Sequence, residues 1–179
     1  SVLETLPIYQ KKVTLMDALC HEIESYWSIN STSKSRMYSR ESISLIVQNY
    51  KGYINGDNSK NEIMLRASNL AGKAINITQT TAGHAMSYKL TSLYKISHGH
   101  AAVLCVKNIW PFMLKNINNC IDSRGEKYLM DIFENIASAM NCASIEKAIA
   151  RLNDIVLELD LKAPNGVKLE DFKILNNSV

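Results

Sequence analysis

HGHAAVLCVKNIWPFML, residues 98–114, is the stretch that decides the fold. Its apolar residues run nearly all the way round a helix, and a helix of this kind is stable only when other helices surround it. The stretch therefore predicts a helical bundle with this segment at its centre. Pro111 is expected to end or kink the helix, because proline has no amide hydrogen to donate to the Lys107 carbonyl.

Six other stretches carry apolar residues at helical spacing, and clusters of turn-forming residues separate them. Pro7 suits the first turn of the first helix, and Asn55-Gly56-Asp57 forms the cap and turn after the second. A short last helix is expected from Lys168. No alternating pattern predicts a strand, so we predict one all-α domain over residues 1–179, a bundle of seven to eight helices. The other expected helices cover roughly residues 7–27, 34–54, 60–77, 82–94, 125–140 and 144–159.

The composition is typical of a soluble globular protein, with 46% hydrophobic and 21% charged residues and a net charge of +3. The basic groups are short, which argues against a nucleic acid partner. No apolar run approaches the roughly 20 residues of a membrane-spanning helix, and the first residues lack the pattern of a secretory signal. The cysteines are widely spaced, so we expect reduced, structural thiols and a cytoplasmic location. They are Cys20, Cys105, Cys120 and Cys142.

All four histidines lie where predicted helices begin or on an otherwise apolar helix face. Asp17 and His21, at i and i+4 in MDALCHEIESYW, share one helix face at a Cβ separation of about 5–6 Å. His84 and His98 stand near the starts of the fourth and fifth helices, and helix starts in a bundle can converge on one site. Buried imidazole and carboxylate groups are costly without a metal or another partner. The pattern allows a metal site, and equally an ion pair beside capping or packing histidines.

Three segments resemble, in order, the ligand-bearing segments of the iron-containing (group III) alcohol dehydrogenases. DALCHEIESYWS resembles the D-A-x-x-H-x-I-E segment, NLAGKAINITQTTAGHAMSY the segment of the third ligand, and SHGHAAVLC that of the fourth, usually written P-H-G-x-A. The separation of fourteen residues between His84 and His98 also matches. The resemblance covers about residues 3–111. It implies the helical C-terminal domain fold that this family shares with dehydroquinate synthase-like proteins.

The resemblance implies an NAD(P)-dependent alcohol dehydrogenase or aldehyde reductase acting on a small molecule. Asp17, His21, His84 and His98 would bind Fe²⁺ or Zn²⁺, which polarises the substrate oxygen for hydride transfer. Mn²⁺, Co²⁺ and Ni²⁺ also suit this mixed nitrogen and oxygen set. The strings LPIYQKK, CHEIESYWSINST and AGKAINITQTTAGHAMSY are most similar to the phosphonoacetaldehyde reductase branch. This similarity implies a phosphonate aldehyde as substrate.

The chain departs from the family pattern at the proton relay. Many members carry another histidine four residues after the third ligand, where this chain has Tyr88. Tyr88 itself, or His100 two residues beyond His98, is therefore a candidate catalytic residue. The alternatives are a packing aromatic for Tyr88 and a solvent-facing group for His100.

The segment before His84 is polar where many relatives are apolar. Thr80 and Thr81, together with Lys73, predict a site for the anionic group of a substrate, since hydroxyls and amides near a helix start can hold an anion. The alternative is that Thr80 or Thr81 caps the fourth helix.

The family's N-terminal dinucleotide-binding domain, with its glycine-rich turn, is not found in these 179 residues. NAD(P)H would bind in the full-length enzyme, and we expect no dehydrogenase turnover from this chain alone. Apolar surface left by a missing domain could also drive homo-oligomer formation. Two other functions stay open. One is a dehydroquinate synthase-like lyase, whose metal set has an acidic ligand and two histidines, and the other is a non-catalytic helical remnant.

Overall fold

The computed structural model describes residues 2–167, which form seven α-helices and two short 3₁₀ segments, with no strand over that range. The all-α prediction is confirmed. None of the described helices is long and apolar enough to cross a bilayer. The helices are α1 Ile8–Trp27, α2 Ser33–Ile54, α3 Asn61–Thr78, α4 Ala82–Tyr94, α5 His98–Lys115, α6 Gly125–Ala139 and α7 Ile145–Glu158; the 3₁₀ segments are Asn58–Lys60 and Ile117–Asn119.

Local capping chemistry explains where several helices begin and end. The Thr32 hydroxyl accepts a hydrogen bond from the Ser35 amide at 3.1 Å, and the Ser35 hydroxyl accepts one from the Thr32 amide at 2.9 Å, so α2 starts with a reciprocal capping pair. Ser144 caps α7 through the Lys147 amide. The predicted cap at Asn55 is confirmed, followed by Gly56 with φ of 87°. The helix predicted from Lys168 lies outside the described residues.

Pro111 was predicted to end or kink the central helix; it does not end it, because α5 continues through Pro111 to Lys115. An internal proline costs about 3 kcal/mol through the lost hydrogen bond and the ring contact with the preceding turn. Packing on both sides of it offsets that cost. Trp110 is fully buried, and Met113 and Leu114 pack against the core on the following turn.

The core is built around α1 and α5, which lie against each other and between the remaining helices. The indole rings of Trp27 and Trp110 meet edge to face at 6.1 Å, and Phe133 of α6 packs against both. All four cysteines are free, and Cys20 and Cys105 are buried in the helices that form this core. The arrangement fixes one face of α1 against the first turns of α4 and α5.

Candidate metal centre

The face of α1 that points toward α4 and α5 carries Asp17 and His21. One oxygen of the Asp17 carboxylate, Oδ2, lies 3.9 Å from His21 Nδ1, as the i, i+4 spacing predicts. The other oxygen, Oδ1, is buried and has no hydrogen-bond partner within residues 2–167, although 27% of the side chain is exposed. Asp17 therefore turns one unsatisfied oxygen into the protein.

His84 meets that oxygen from the first turn of α4. Its side chain is fully buried, and its Nε2 lies 3.5 Å from Asp17 Oδ1 without a hydrogen bond in the described part of the chain. Two buried polar atoms that face each other without satisfying each other are costly. An ion placed between them would satisfy both.

His98, the first residue of α5, supplies a third donor. Its Nε2 lies 3.7 Å from Asp17 Oδ1, and its ring is 35% exposed, so the site opens toward solvent on this side. Among residues 2–167, Asp17, His84 and His98 form a group whose donor atoms all lie within 4.8 Å of one another. This is a geometry that could hold a metal ion.

Gly99 makes the approach of α5 to α1 possible. A Cβ atom at this position would lie 2.0 Å from the Val13 carbonyl oxygen and 2.7 Å from the Asp17 Cβ. Only glycine lets the backbone of α5 come this close, and the close approach brings the neighbouring His98 within reach of Asp17.

His21 lies beside this group. Its ring stacks on that of His84, with centroids 4.3 Å apart and an interplanar angle of 11°. The structure thus brings all four predicted ligands together, with Asp17, His84 and His98 as the converging donors and His21 packed against them.

Hydrogen bonds orient two of the imidazoles so that Nε2 faces Asp17. The Ser87 hydroxyl donates its proton to the His84 carbonyl at 2.7 Å. Its Oγ atom can therefore only accept a hydrogen bond from His98 Nδ1, which lies 3.3 Å away. The Nδ1 of His84 is hydrogen-bonded to the carboxylate of Glu24. In the neutral form each of these rings keeps its lone pair on Nε2, which is the form that binds a metal.

Glu24 is the site residue that the sequence interpretation missed. It is fully buried, and its carboxylate accepts hydrogen bonds from the Gly83 amide at 2.7 Å and the Thr81 hydroxyl at 2.6 Å. The sequence does contain a signal for Glu24. Glu24 lies seven residues after Asp17, and this spacing puts the two acidic side chains on one face of α1. The D-A-x-x-H-x-I-E pattern of the family resemblance also ends on this glutamate.

The protonation of the site follows from these contacts. Burial would raise the pKa of Asp17, but its interactions with His84, His21 and His98 hold it below the usual value. Burial would lower the pKa of His84, but the Asp17 and Glu24 carboxylates on its two sides raise it to about 9. Burial lowers the pKa of His21, with Asp17 opposing the shift. In the metal-free protein His84 thus holds a proton that a divalent cation would replace, whereas the Asp17 carboxylate is ionised.

The two candidate proton donors lie in different surroundings. Tyr88 is 61% exposed, and its ring stacks on His98 with centroids 5.1 Å apart, on the open side of the site. His100 is 7% exposed, with Nε2 2.9 Å from the Lys162 carbonyl and Nδ1 3.1 Å from the Tyr9 hydroxyl. Burial also lowers the pKa of His100. Both ring nitrogens of His100 are therefore engaged in contacts that tie α5 to other segments.

The structure does not bring together the three residues predicted to bind an anion. Lys73 lies on the exposed face of α3, with its ammonium 5.9 Å from the centre of the Tyr38 ring. Thr80 and Thr81 line a separate cavity of about 390 Å³ beside Trp27. Thr81 occupies the N-cap position of α4, as the alternative predicted, but its hydroxyl makes no capping bond because it donates to Glu24 and accepts from the Trp27 indole at 2.9 Å.

Three helices of the bundle bring one carboxylate and two imidazoles to a single point, with the His21 imidazole stacked beside them, so the fold and site define a helical domain that could hold a metal ion. Residues 12–178 match the family described as Fe-containing alcohol dehydrogenase family, C-terminal. The chain belongs to this family, as the resemblance of its three ligand-bearing segments predicted.

Named relatives agree with this assignment. The chain is 27% identical over 129 residues to phosphonoacetaldehyde reductase of Streptomyces viridochromogenes, covering 70% of this chain and 33% of that protein. It is 32% identical over 166 residues to 1,3-propanediol dehydrogenase of Klebsiella pneumoniae, covering 89% of this chain and 41% of that protein. A crystal structure of 1,3-propanediol oxidoreductase superposes with a TM-score of 0.80 at 26% identity, over 98% of this chain and 46% of the other. The chain thus spans less than half the length of these proteins.

Proposed function

We propose that this chain is the metal-binding catalytic domain of an NAD(P)-dependent alcohol dehydrogenase or aldehyde reductase. The observation that carries the proposal is the pair of buried, unsatisfied atoms Asp17 Oδ1 and His84 Nε2, 3.5 Å apart, with His98 Nε2 beside them. The donor set suits Fe²⁺ or Zn²⁺, and His21 is close enough to complete it. Such a metal would polarise the carbonyl oxygen of the substrate.

The residues around the site would place the substrate and its proton. The exposed fractions of Asp17 and His98 mark the side from which a small aldehyde enters. Tyr88, whose ring stacks on His98 on that side, would donate a proton to the substrate oxygen, and the stacking supports this role. His100 is less suited because both of its ring nitrogens already have partners. Tyr88 is therefore our candidate for the proton donor.

The hydride donor, NAD(P)H, would be bound largely by residues outside these 179. The coverage of the relatives, 33% and 41% of their lengths, supports this division. We therefore expect no NAD(P)H-linked aldehyde reduction from the chain alone, and turnover once it is joined to a dinucleotide-binding domain. We also propose that the protein is cytoplasmic and that it forms a homo-oligomer.

A phosphonate aldehyde is the proposed substrate, on the strength of the likeness to phosphonoacetaldehyde reductase. The placement of Lys73 away from Thr80 and Thr81 gives no support to an anion site built from those three residues. In the full-length protein, kcat/KM for phosphonoacetaldehyde is expected to exceed that for a neutral aldehyde of similar size. Equal values would remove the phosphonate from the proposal and leave the dehydrogenase class in place.

Metal binding tests the proposal most directly. Purified protein stripped of metal is titrated with Zn²⁺, or with Fe²⁺ under anaerobic conditions, while thermal unfolding is followed. Ligand at a hundred times its Kd should stabilise the fold by about 2.7 kcal/mol. His84→Ala should abolish this gain, whereas His100→Ala, a histidine outside the group, should keep it. Absence of any shift in the wild-type protein would favour a non-catalytic remnant, and a lyase activity in the full-length protein would favour the dehydroquinate synthase-like alternative.

A further inference from the structure

Glu24 differs from the other acidic side chain at the site, Asp17, because its partners all come from one short segment, Thr81 to His84. The carboxylate accepts from the Thr81 hydroxyl, the Gly83 amide and the Thr81 amide, at 2.6, 2.7 and 3.4 Å, and contacts His84 Nδ1. A fully buried carboxylate needs several donors to remain ionised, and this segment supplies them.

The His84 ring is thereby held between two carboxylates. Its Nδ1 faces Glu24 and its Nε2 faces Asp17 Oδ1. A histidine that donates through Nδ1 to a carboxylate keeps its lone pair on Nε2, and the negative partner makes that lone pair a stronger ligand. Glu24 thus fixes both the direction of the ring and the nitrogen offered to an ion.

Glu24 also fixes the backbone that carries His84. A Cβ atom at Gly83 would come within 2.6 Å of the Glu24 carboxylate, so the first turn of α4 lies directly on it. The Thr81 hydroxyl, which donates to Glu24, is itself held by the Trp27 indole at 2.9 Å. A connected chain of hydrogen bonds therefore runs from the core aromatic of α1 to the imidazole of α4.

We propose that Glu24 is a positioning residue that sets the metal affinity of the site by orienting and polarising His84. The inference rests on the proposed function, since it presumes that Asp17, His84 and His98 bind a metal. Glu24 itself does not touch the ion in this scheme, and it acts through Nδ1 of His84.

The matched control lies two residues away on the same helix. Glu22 is also fully buried, yet its carboxylate oxygens have no hydrogen-bond partner among residues 2–167 and do not contact the donor group. Glu24→Gln and Glu22→Gln each replace one buried carboxylate of α1 by its neutral isostere. Only the first removes the negative charge beside His84.

The experiment measures Zn²⁺ affinity by chelator competition and the ligand-field bands of the Co²⁺-loaded protein. Glu24→Gln should weaken Zn²⁺ binding about 10- to 100-fold and alter the Co²⁺ bands. Glu22→Gln should leave both as in the wild type. Thr81→Val, which removes one donor to Glu24, should give a smaller loss in the same direction.

The outcomes separate the inference from the proposed function. Wild-type protein that binds neither Zn²⁺ nor Co²⁺ would overturn the proposed function and the role of Glu24 with it. Wild-type binding with equal Zn²⁺ affinity and equal Co²⁺ bands in Glu24→Gln and Glu22→Gln would overturn the inference alone. If Glu24→Gln lowers the stability of the metal-free protein, the chelator competition still reports on affinity, because it is performed below the unfolding temperature.

Discussion

Glu22 and Glu24 lie two residues apart on α1 and are both fully buried, but they differ in their hydrogen-bond partners and in the direction of their pKa shifts. Glu24 is surrounded by donors from α4 and the residue before it, which hold its pKa below the usual value although burial would raise it. Glu22 is buried near the Ser39 hydroxyl but forms no hydrogen bond of good geometry in the described chain, and burial, only partly opposed by Ser39, raises its pKa to about 8. Burial alone therefore does not mark a functional carboxylate. What distinguishes Glu24 is a set of donors that ends at a candidate metal ligand.

The largest expected effect comes from adding a side chain at Gly99, where the backbone of α5 contacts α1 beside Val13 and Asp17. In Gly99→Ala the new methyl group would lie 2.0 Å from the Val13 carbonyl oxygen, a backbone atom that cannot move aside cheaply. We expect a loss of about 4 kcal/mol or more in the free energy of unfolding, together with loss of metal binding.

Gly72→Ala is the control for this substitution. Gly72 lies on the exposed face of α3, and a Cβ atom added there would meet no other atom within 4 Å, so the change should stabilise by about 0.5–1 kcal/mol through helix propensity. Urea unfolding of both variants measures the difference. Similar stabilities for the two variants would show that α1 and α5 are not in close contact at Gly99.

The second effect concerns the Glu22 side of the comparison and depends on pH. The folded protein binds the Glu22 proton more tightly than the unfolded chain, because the pKa rises from 4.5 to about 8 on folding. Stability is therefore lost as pH rises through this window, by about 1.4 kcal/mol per unit at most. Glu22→Gln removes this dependence, so the variant should gain on the order of 3 kcal/mol over the wild type between pH 5 and pH 8. Parallel stability curves in urea unfolding across that range would contradict a protonated Glu22.

The third effect is the stability change of Glu24→Gln, which we expect to be a loss where Glu22→Gln gives a gain. Glu24→Gln leaves the Gly83 amide and the Thr81 hydroxyl with a weaker, neutral acceptor and removes the partner of His84 Nδ1. We expect the metal-free protein at pH 7 to lose about 2 kcal/mol, the usual cost of disturbing a buried charged hydrogen-bond group. Thermal unfolding at pH 7 should thus rank Glu22→Gln above the wild type and Glu24→Gln below it. The same rank for both variants would mean that the two carboxylates are equivalent.

The two glutamates also show what the sequence could and could not predict. Helix bounds were predicted closely because their signals are local, as at Asn55-Gly56 and at the cap residue Ser144. The face shared by Asp17 and His21 likewise follows from helical spacing. The role of Glu24 could not be read in this way, since its partners lie 57 to 60 residues further along the chain. The helix continuing through Pro111 has the same cause, because packing of Trp110 against distant residues overrides a local rule.

The smallest effect tests the turn that delivers the partners of Glu24. Gln79, between α3 and Thr81, has φ of 59° and ψ of 177°, a backbone conformation that is almost confined to glycine. Gln79→Gly should therefore stabilise the protein by about 1 kcal/mol by relieving this strain. Thr80→Gly, at a neighbour that is not among the positive-φ residues, should destabilise it instead, because there glycine only adds freedom to the unfolded chain. Urea unfolding measures both. The turn holds Thr81 against Glu24, so the Zn²⁺ affinity of Gln79→Gly is measured as well. A gain in stability with unchanged Zn²⁺ affinity would show that the strain at Gln79 is not needed to position His84. A loss in stability would mean that Gln79 is not strained.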